Sequence, residues 1–216
     1  MRLGSIAVGV AVLVLFARSP RAGEVLIGAQ VGAGHMPLSD WEEYSDFGAG
    51  YEADPLGQYW EVSATWRFAP RHAARLSVER ITTSAVATYE IPSLFTITVD
   101  WEFKTWPICL NYEFTLRRSD SDAYTLLGAG GGFYTSEVQG TEVISDPLVY
   151  VVGTRSGDGY GFHGYLRQTA PISEQLSLSG MVRGRWADGM AFDDEEGDIP
   201  VEFSGFDMAI GLEWKI

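Results

Sequence analysis

One cysteine, Cys109, and two lysines, Lys104 and Lys215, are the scarcest reactive groups in this chain. A lone thiol forbids an internal disulfide framework and any multi-thiolate zinc site. Cations are few altogether: 15 Lys and Arg stand against 29 Asp and Glu, a formal charge of −14. That acid excess argues against a nucleic-acid binder, which needs cations to replace phosphate counterions. Long apolar runs are also missing. The longest is confined to the first 16 residues, which excludes a polytopic helical membrane protein, whose spans need about 20. Glycine is plentiful, with 25 residues, and aromatics make up 13% of the 216 positions.

The N-terminus reads MR, then apolar residues from Leu3 to Phe16, then ARSPRAG, the order of a secretory signal peptide. Cleavage is expected after Ala22, which divides the chain into a signal peptide, 1–22, and a mature domain, 23–216. Loss of Arg2, Arg18 and Arg21 takes the net charge from −14 to −17. An uncleaved anchor is the alternative, and the apolar run is short for it.

The mature chain has no convincing helical period, and its best segments alternate strictly. Trp60, Val62, Ala64, Trp66 and Phe68 stand against Glu61, Ser63, Thr65 and Arg67. Trp106, Ile108, Leu110, Tyr112, Phe114 and Leu116 stand against Pro107, Cys109, Asn111, Glu113 and Thr115. Phe206, Met208, Ile210, Leu212, Trp214 and Ile216 stand against Asp207, Ala209, Gly211, Glu213 and Lys215. Alternation of this kind puts one face in an apolar medium and the other in a polar one. These strands run nine to eleven residues, the length of a tilted transmembrane strand. Aromatics recur eight residues apart at Trp60 and Phe68, Trp106 and Phe114, and Phe206 and Trp214. Eight residues at ~3.3 Å, tilted by roughly 40°, rise about 20 Å, close to an apolar band with an aromatic girdle at each edge.

Weaker alternation at Val25–Gly34, Ala74–Val78, Leu127–Phe133, Phe162–Leu166 and Leu176–Trp186 brings the strand count to eight. Short connections, 69–72, 118–122 and 171–174, alternate with long excursions at 35–58, about 82–104, about 138–158 and about 188–204. In outer-membrane barrels the short turns are periplasmic and the long loops lie outside. In the run 95–104 the apolar residues Phe95, Ile97, Val99, Trp101 and Phe103 occupy odd positions, whereas from Trp106 onward they occupy even ones. That switch predicts a bulge or kink near Pro107 in a fourth strand continuing above the membrane. A competing reading makes the run an extra strand, giving ten.

On the export signal, LLGAGGGFY at 126–134, GFHGYLRQTAPISEQLSLSG at 161–180 and the terminal GFDMAIGLEWKI, the chain resembles the small eight-stranded outer-membrane β-barrels, the family of outer-membrane proteins W, X and the membrane domain of A. The resemblance covers essentially the whole mature chain and implies a bacterial outer-membrane location. It implies contact with outer-membrane lipids and lipopolysaccharide, and insertion by the barrel assembly machinery. Family members typically end in an aromatic that this machinery recognises; this chain ends in Ile216, with Trp214 two positions earlier.

The inward positions collect Glu61, Glu79, Glu113, Asp207 and Glu213 against Arg67, Arg75, Arg167, Arg183, Arg185 and Lys215. Eight strands enclose room for side chains and little else, so these charges are expected to pair and fill the interior. Gly128, Gly130 and Gly132 are expected to make room for the arginines opposite; no helix or lysine follows them, as a phosphate loop would need. Some barrels resembling this one modify lipid A, and the deacylase kind resembles a His-x-Ser arrangement. Here His35, His72 and His163 are followed two places later by Pro37, Ala74 and Tyr165. No catalytic, cofactor-binding or metal residue is therefore assigned. The acidic segments 39–55 and 188–202 lack the ordered ligand spacing of a calcium loop and suit nonspecific divalent cations at most.

The sequence thus points to an all-β chain forming a single antiparallel up-and-down transmembrane barrel. Its expected role is structural or surface-interacting, without enzyme activity or cofactor. A narrow channel for small solutes is the first alternative. A soluble periplasmic lipid-carrying barrel, whose interior is apolar, is the second.

Overall fold

The computed structural model describes residues 23–36, 51–91, 95–119, 123–145, 148–192, 199–201 and 203–216. The signal peptide at 1–22 lies outside the described residues, as do residues 39–50, 193–198 and 202 of the acidic segments. Nine strand segments appear: β1 (Glu24–His35), β2 (Tyr51–Ala69), β3 (His72–Ile91), β4 (Phe95–Arg118), β5 (Tyr124–Ser145), β6 (Leu148–Pro171), β7 (Leu176–Phe192), β8 (Ile199–Val201) and β9 (Gly205–Lys215). Eight of them close a ring in which every neighbour is antiparallel, β1 to β7 in order and then β9 back onto β1. The short β8 pairs only with the upper end of β7 and stays outside the ring. Eight strands, not ten, make the barrel.

The ring is staggered, as a closed sheet requires. A walk along paired residues from Val25 through Trp66, Ala74, Tyr112, Ala129, Gly164, Gly184 and Phe206 returns to β1 at His35. Position 25 has become position 35, a displacement of ten residues along the strand. Stagger and tilt are coupled in barrels, so the strands lean by roughly 40°.

The alternation predicts the facing of each strand correctly. Leu110, Phe162, Ile210 and their neighbours on even positions stand out from the wall, with Leu110 65% exposed, while Cys109, Asn111 and Glu113 point inward and are buried. An exposed apolar belt around a charged interior inverts the arrangement of a water-soluble barrel and rules out the apolar-lumen lipid carrier. A cavity of about 410 Å³ opens on this outer wall, among Val31, Gly32, Val182, Met208 and Ile210. Its apolar lining makes it part of the lipid-facing surface.

Two expectations about the upper half need correction. The excursions 82–104 and 138–158 are largely strand, because β3 and β4 stay paired up to Ile91 and Phe95, and β5 and β6 up to Ser145 and Leu148. These long connections are ladders rising above the belt. Nor does β4 bulge at Pro107. Its pairing with β3 skips the rows of Pro107 and Trp106 and resumes in the same register, and its pairing with β5 runs through both. Proline removes one donor without inserting a residue. The facing of side chains is therefore unchanged along β4, and the apolar residues pass from outside to inside: Leu110 faces lipid, Phe103 is buried within.

Candidate functional site

Glu61 and Tyr59 on β2, Arg75 and Glu79 on β3, Glu113 on β4, Arg167 and Tyr165 on β6, Arg183 and Arg185 on β7, and Asp207 and Glu213 on β9 all occupy inward positions and are buried. At the lower end Arg167 Nη2 donates to both oxygens of Glu113, at 2.8 and 2.6 Å, and Arg167 also pairs with Glu213. Arg75 reaches Glu213 at 3.4 Å and Glu113 at 3.8 Å and pairs with Glu61. Arg183 Nη1 meets Glu79 at 2.7 Å and Glu61 at 3.4 Å, while its Nε donates to Asp207 at 3.1 Å. Arg185 completes the chain, with Glu79 at 3.0 Å and Asp207 at 2.7 Å.

The result is one connected network, in which every guanidinium touches at least two carboxylates and every carboxylate at least two guanidiniums. Burial without partners would cost several kcal/mol per ion, and pairing offsets that cost only if the remaining donors and acceptors are also met. Uncharged groups meet several of them. Tyr165 donates to Glu113 at 2.7 Å, Ser77 to Glu79 at 3.0 Å, and Tyr124 to Glu213 at 3.3 Å. Tyr59 donates to Glu61 and lies under Arg183, whose guanidinium carbon is 4.8 Å from the ring centre.

Two of the residues expected in the network are elsewhere. Arg67 and Lys215 sit at the rim on the short-turn side, where both pair with Glu24, Lys215 at 2.9 Å. Arg67 also stacks over Tyr124 at 4.7 Å. Partial burial opposes ionisation of Glu24, but Lys215 and Arg67 outweigh it and hold its carboxyl below the usual carboxylate range. Side-chain length and strand position explain the split: both cations lie at strand ends, within reach of water.

The glycine row of β5 also does something different from the expectation. A Cβ at Gly128 would lie 2.1 Å from the ring of Tyr165, and one at Gly130 would lie 2.3 Å from Oδ1 of Asn111. These glycines clear space for a tyrosine and an asparagine, and the arginines approach from other strands. Asn111 in turn meets Nε2 of His163 and donates to the Arg75 carbonyl at 3.3 Å. Tyr59, Tyr165, Asn111 and His163 were not assigned to the network beforehand, although all four sit on the inward parity of their strands.

Above the network the lumen turns apolar. Ala85, Phe103, Cys109, Tyr134, Val138, Ala187 and Phe203 form a buried cluster. Phe203 follows β8 and joins this cluster, with its ring edge-on to Phe103 at 6.1 Å and its amide bonded to the Ala187 carbonyl at 2.9 Å. Of the histidines, His163 is inside, His72 pairs with Tyr112 at a turn, and His35 packs against Phe206 at 5.5 Å on the outer face. No two of them share a site. Among the described residues no group of three His, Cys, Asp or Glu side chains is arranged to hold a metal.

Eight staggered strands, an apolar belt and a charged interior decide the architecture. This is the fold of the small outer-membrane β-barrels. Solved outer-membrane barrels superpose along nearly their full length. Neisserial surface protein A matches with a TM-score of 0.53 at 13% identity, covering 89% of this chain and 97% of that one. The attachment invasion locus protein of Yersinia pestis, in complex with the heparin analogue sucrose octasulfate, matches with 0.53 at 13%, covering 90% and 99%. Outer membrane protein OprG of Pseudomonas aeruginosa matches with 0.54 at 14%, covering 90% and 96%. At such identities the outer-membrane barrels share a backbone, not a site. No protein-family model matches the sequence, and no curated relative does.

Proposed function

We propose that this outer-membrane barrel is closed to solutes and acts through the wall of strands it raises outside the cell. One observation carries the reading. The β5–β6 ladder runs up to Leu148, but β6 and β7 pair only from Gly157 downward. Residues 148–154 (LVYVVGT) therefore present a strand paired on one side, with no described strand on the other. An unpaired edge rich in β-branched residues is a template for an added strand, a recognised mode of peptide capture.

The attachment role in the name of the Yersinia pestis protein and the surface location in that of the neisserial one accord with this reading. The sulfated ligand of the former does not carry over. The acidic composition of segments 39–55 and 188–202 disfavours a polyanion. Bridging of lipid phosphates by divalent cations at those segments, and insertion guided by Trp214 on β9, belong to the same reading. The ion-pair network supports a lumen without a continuous water path, and the separated histidines support a role without catalysis.

Neighbouring residues of an edge strand point their amides in opposite directions. Of Val151→Pro and Val152→Pro, one removes a bond to β5 and the other only a donor on the free edge. Adhesion of expressing cells is expected to fall for the edge-facing variant while heat-modifiable gel mobility stays normal. Unchanged adhesion with both variants would leave the barrel a structural role. A steady single-channel current through the unmodified barrel would favour the channel.

A further inference from the structure

Arg80 belongs neither to the lumen nor to the outer loops. It lies on β3 at an outward position, paired in register with Trp60 of β2, and its guanidinium carbon is 6.0 Å from the ring centre of Trp106 on β4. Those two indoles are upper-girdle residues, eight positions above Phe68 and Phe114. The guanidinium is thus held at the boundary between the apolar belt and the outer headgroup layer. Its Nε is withdrawn from solvent and meets no acceptor among the described residues, and no described carboxylate pairs with it. A buried donor without an acceptor is costly, the more so when charged. Nε of Arg167 in the lumen also lacks an acceptor, but every buried arginine there touches at least two carboxylates, so its charge is paired where that of Arg80 is not.

A second cation stands beside it. Lys104 on β4 is one row higher, diagonal to Arg80 and opposite Thr82, and faces outward. It shares its charge with Glu102 at 2.5 Å on its upper side, and Glu137 lies opposite on β5, one strand farther from Arg80. Arg71, Arg117 and Arg118 lie at the short turns, Arg67 and Lys215 at the lower rim, and Arg155 on the inward parity of β6. Among the described residues, then, the outer face at and above the upper girdle carries two cations, adjacent to each other, on a chain that is otherwise strongly acidic.

We infer that Arg80, with Lys104 above it and Trp60 and Trp106 at its sides, forms a binding site for the phosphate of an outer-leaflet lipid. Guanidinium and phosphate match in geometry and can form two parallel hydrogen bonds, which supply the acceptor that Nε lacks. The indoles pack on the upper ends of the lipid chains while their polar edges stay at the headgroup level. Glu102 and Glu137 keep free anions in the water above from collecting at Lys104, so the ligand arrives from the membrane plane. This inference rests on the membrane-spanning fold and is independent of the strand edge on β6.

The full chain, folded into phosphatidylcholine vesicles containing a minority of phosphatidic acid, tests it. Electron spin resonance of spin-labelled lipids reads the preference of the barrel surface for the phosphate-headed lipid over phosphatidylcholine. The unmodified chain is expected to prefer phosphatidic acid several-fold, Arg80→Gln to lose most of that preference, and Arg80→Gln with Lys104→Gln to fall to parity. Arg71→Gln, at the opposite rim, should keep it. Millimolar inorganic phosphate should not compete. Equal preference in the unmodified and doubly substituted chains, both with folded gel mobility, would overturn the site. Loss of the preference on adding inorganic phosphate would overturn the assignment to a lipid.

Discussion

Within the belt the barrel is polar inside and apolar outside, and some ten residues higher on the same strands it is apolar inside and polar outside. Strand β4 passes through both regions without a bulge: Glu113 and Asn111 are buried and Leu110 exposed below, whereas Phe103 is buried and Glu102 exposed above. The backbone is the same ladder in both. What changes is the outer medium, hydrocarbon below and water above, and each side chain goes to the side that solvates it better. Each interior is then held by its own means, charge pairing in the first and packing of Phe103, Val138 and Phe203 in the second.

The two interiors should therefore break in different ways. Glu113→Ala removes the carboxylate that Arg167 Nη2 and Tyr165 both donate to and is expected to cost about 3–5 kcal/mol in reversible unfolding from vesicles. A cost near the ~0–1 kcal/mol of an exposed pair would mean that water fills the lower lumen. Phe103→Ala above should cost about as much, roughly 3–5 kcal/mol, through a cavity, with little dependence on salt. A negligible loss there would show that the upper strands do not enclose a core.

The outer faces contrast as sharply. Leu110→Arg, in the belt, is expected to cost roughly 2–4 kcal/mol in the same unfolding measurement. Glu102→Arg, eight residues earlier on the same side of the same strand, should stay within about 0.5 kcal/mol. Equal costs would place the two residues in one medium and remove the boundary between them.

The smallest expected effect is at the lower rim. The Glu24 carboxyl is held below its usual range in the folded chain by Lys215 and Arg67. A depressed carboxylate pKa contributes stability above its unfolded value, and the contribution disappears as pH falls through the folded value. Stability should thus decline slightly from about pH 4.5 downward, the ordinary Glu value, and Glu24→Gln should flatten that part of the profile. An unchanged slope in the variant would mean that the rim pairs are not formed in the folded barrel.

Much of this was open to reading in the sequence. A period of two is a local property, so which of Glu113 and Tyr112 faces inward follows from neighbours one and two positions away. The eight-residue interval between girdle aromatics records the thickness of the apolar layer. Strand number follows from counting such segments, and the inward acids and bases were visible on one parity.

Two features were decided only in three dimensions. An apolar pattern that moves from odd to even positions between Phe103 and Trp106 has two physical causes, an inserted residue or a change of medium, and both write the same local sequence. Only the unbroken register of β4 against β5 chooses the second. The partners in the lumen are equally nonlocal: Arg183 meets Glu79 104 positions away, and Gly128 is small because Tyr165 of the next strand fills its place. Alternation tells a side chain which way to point, but the stagger of ten residues sets its height, and height determines which charge it meets.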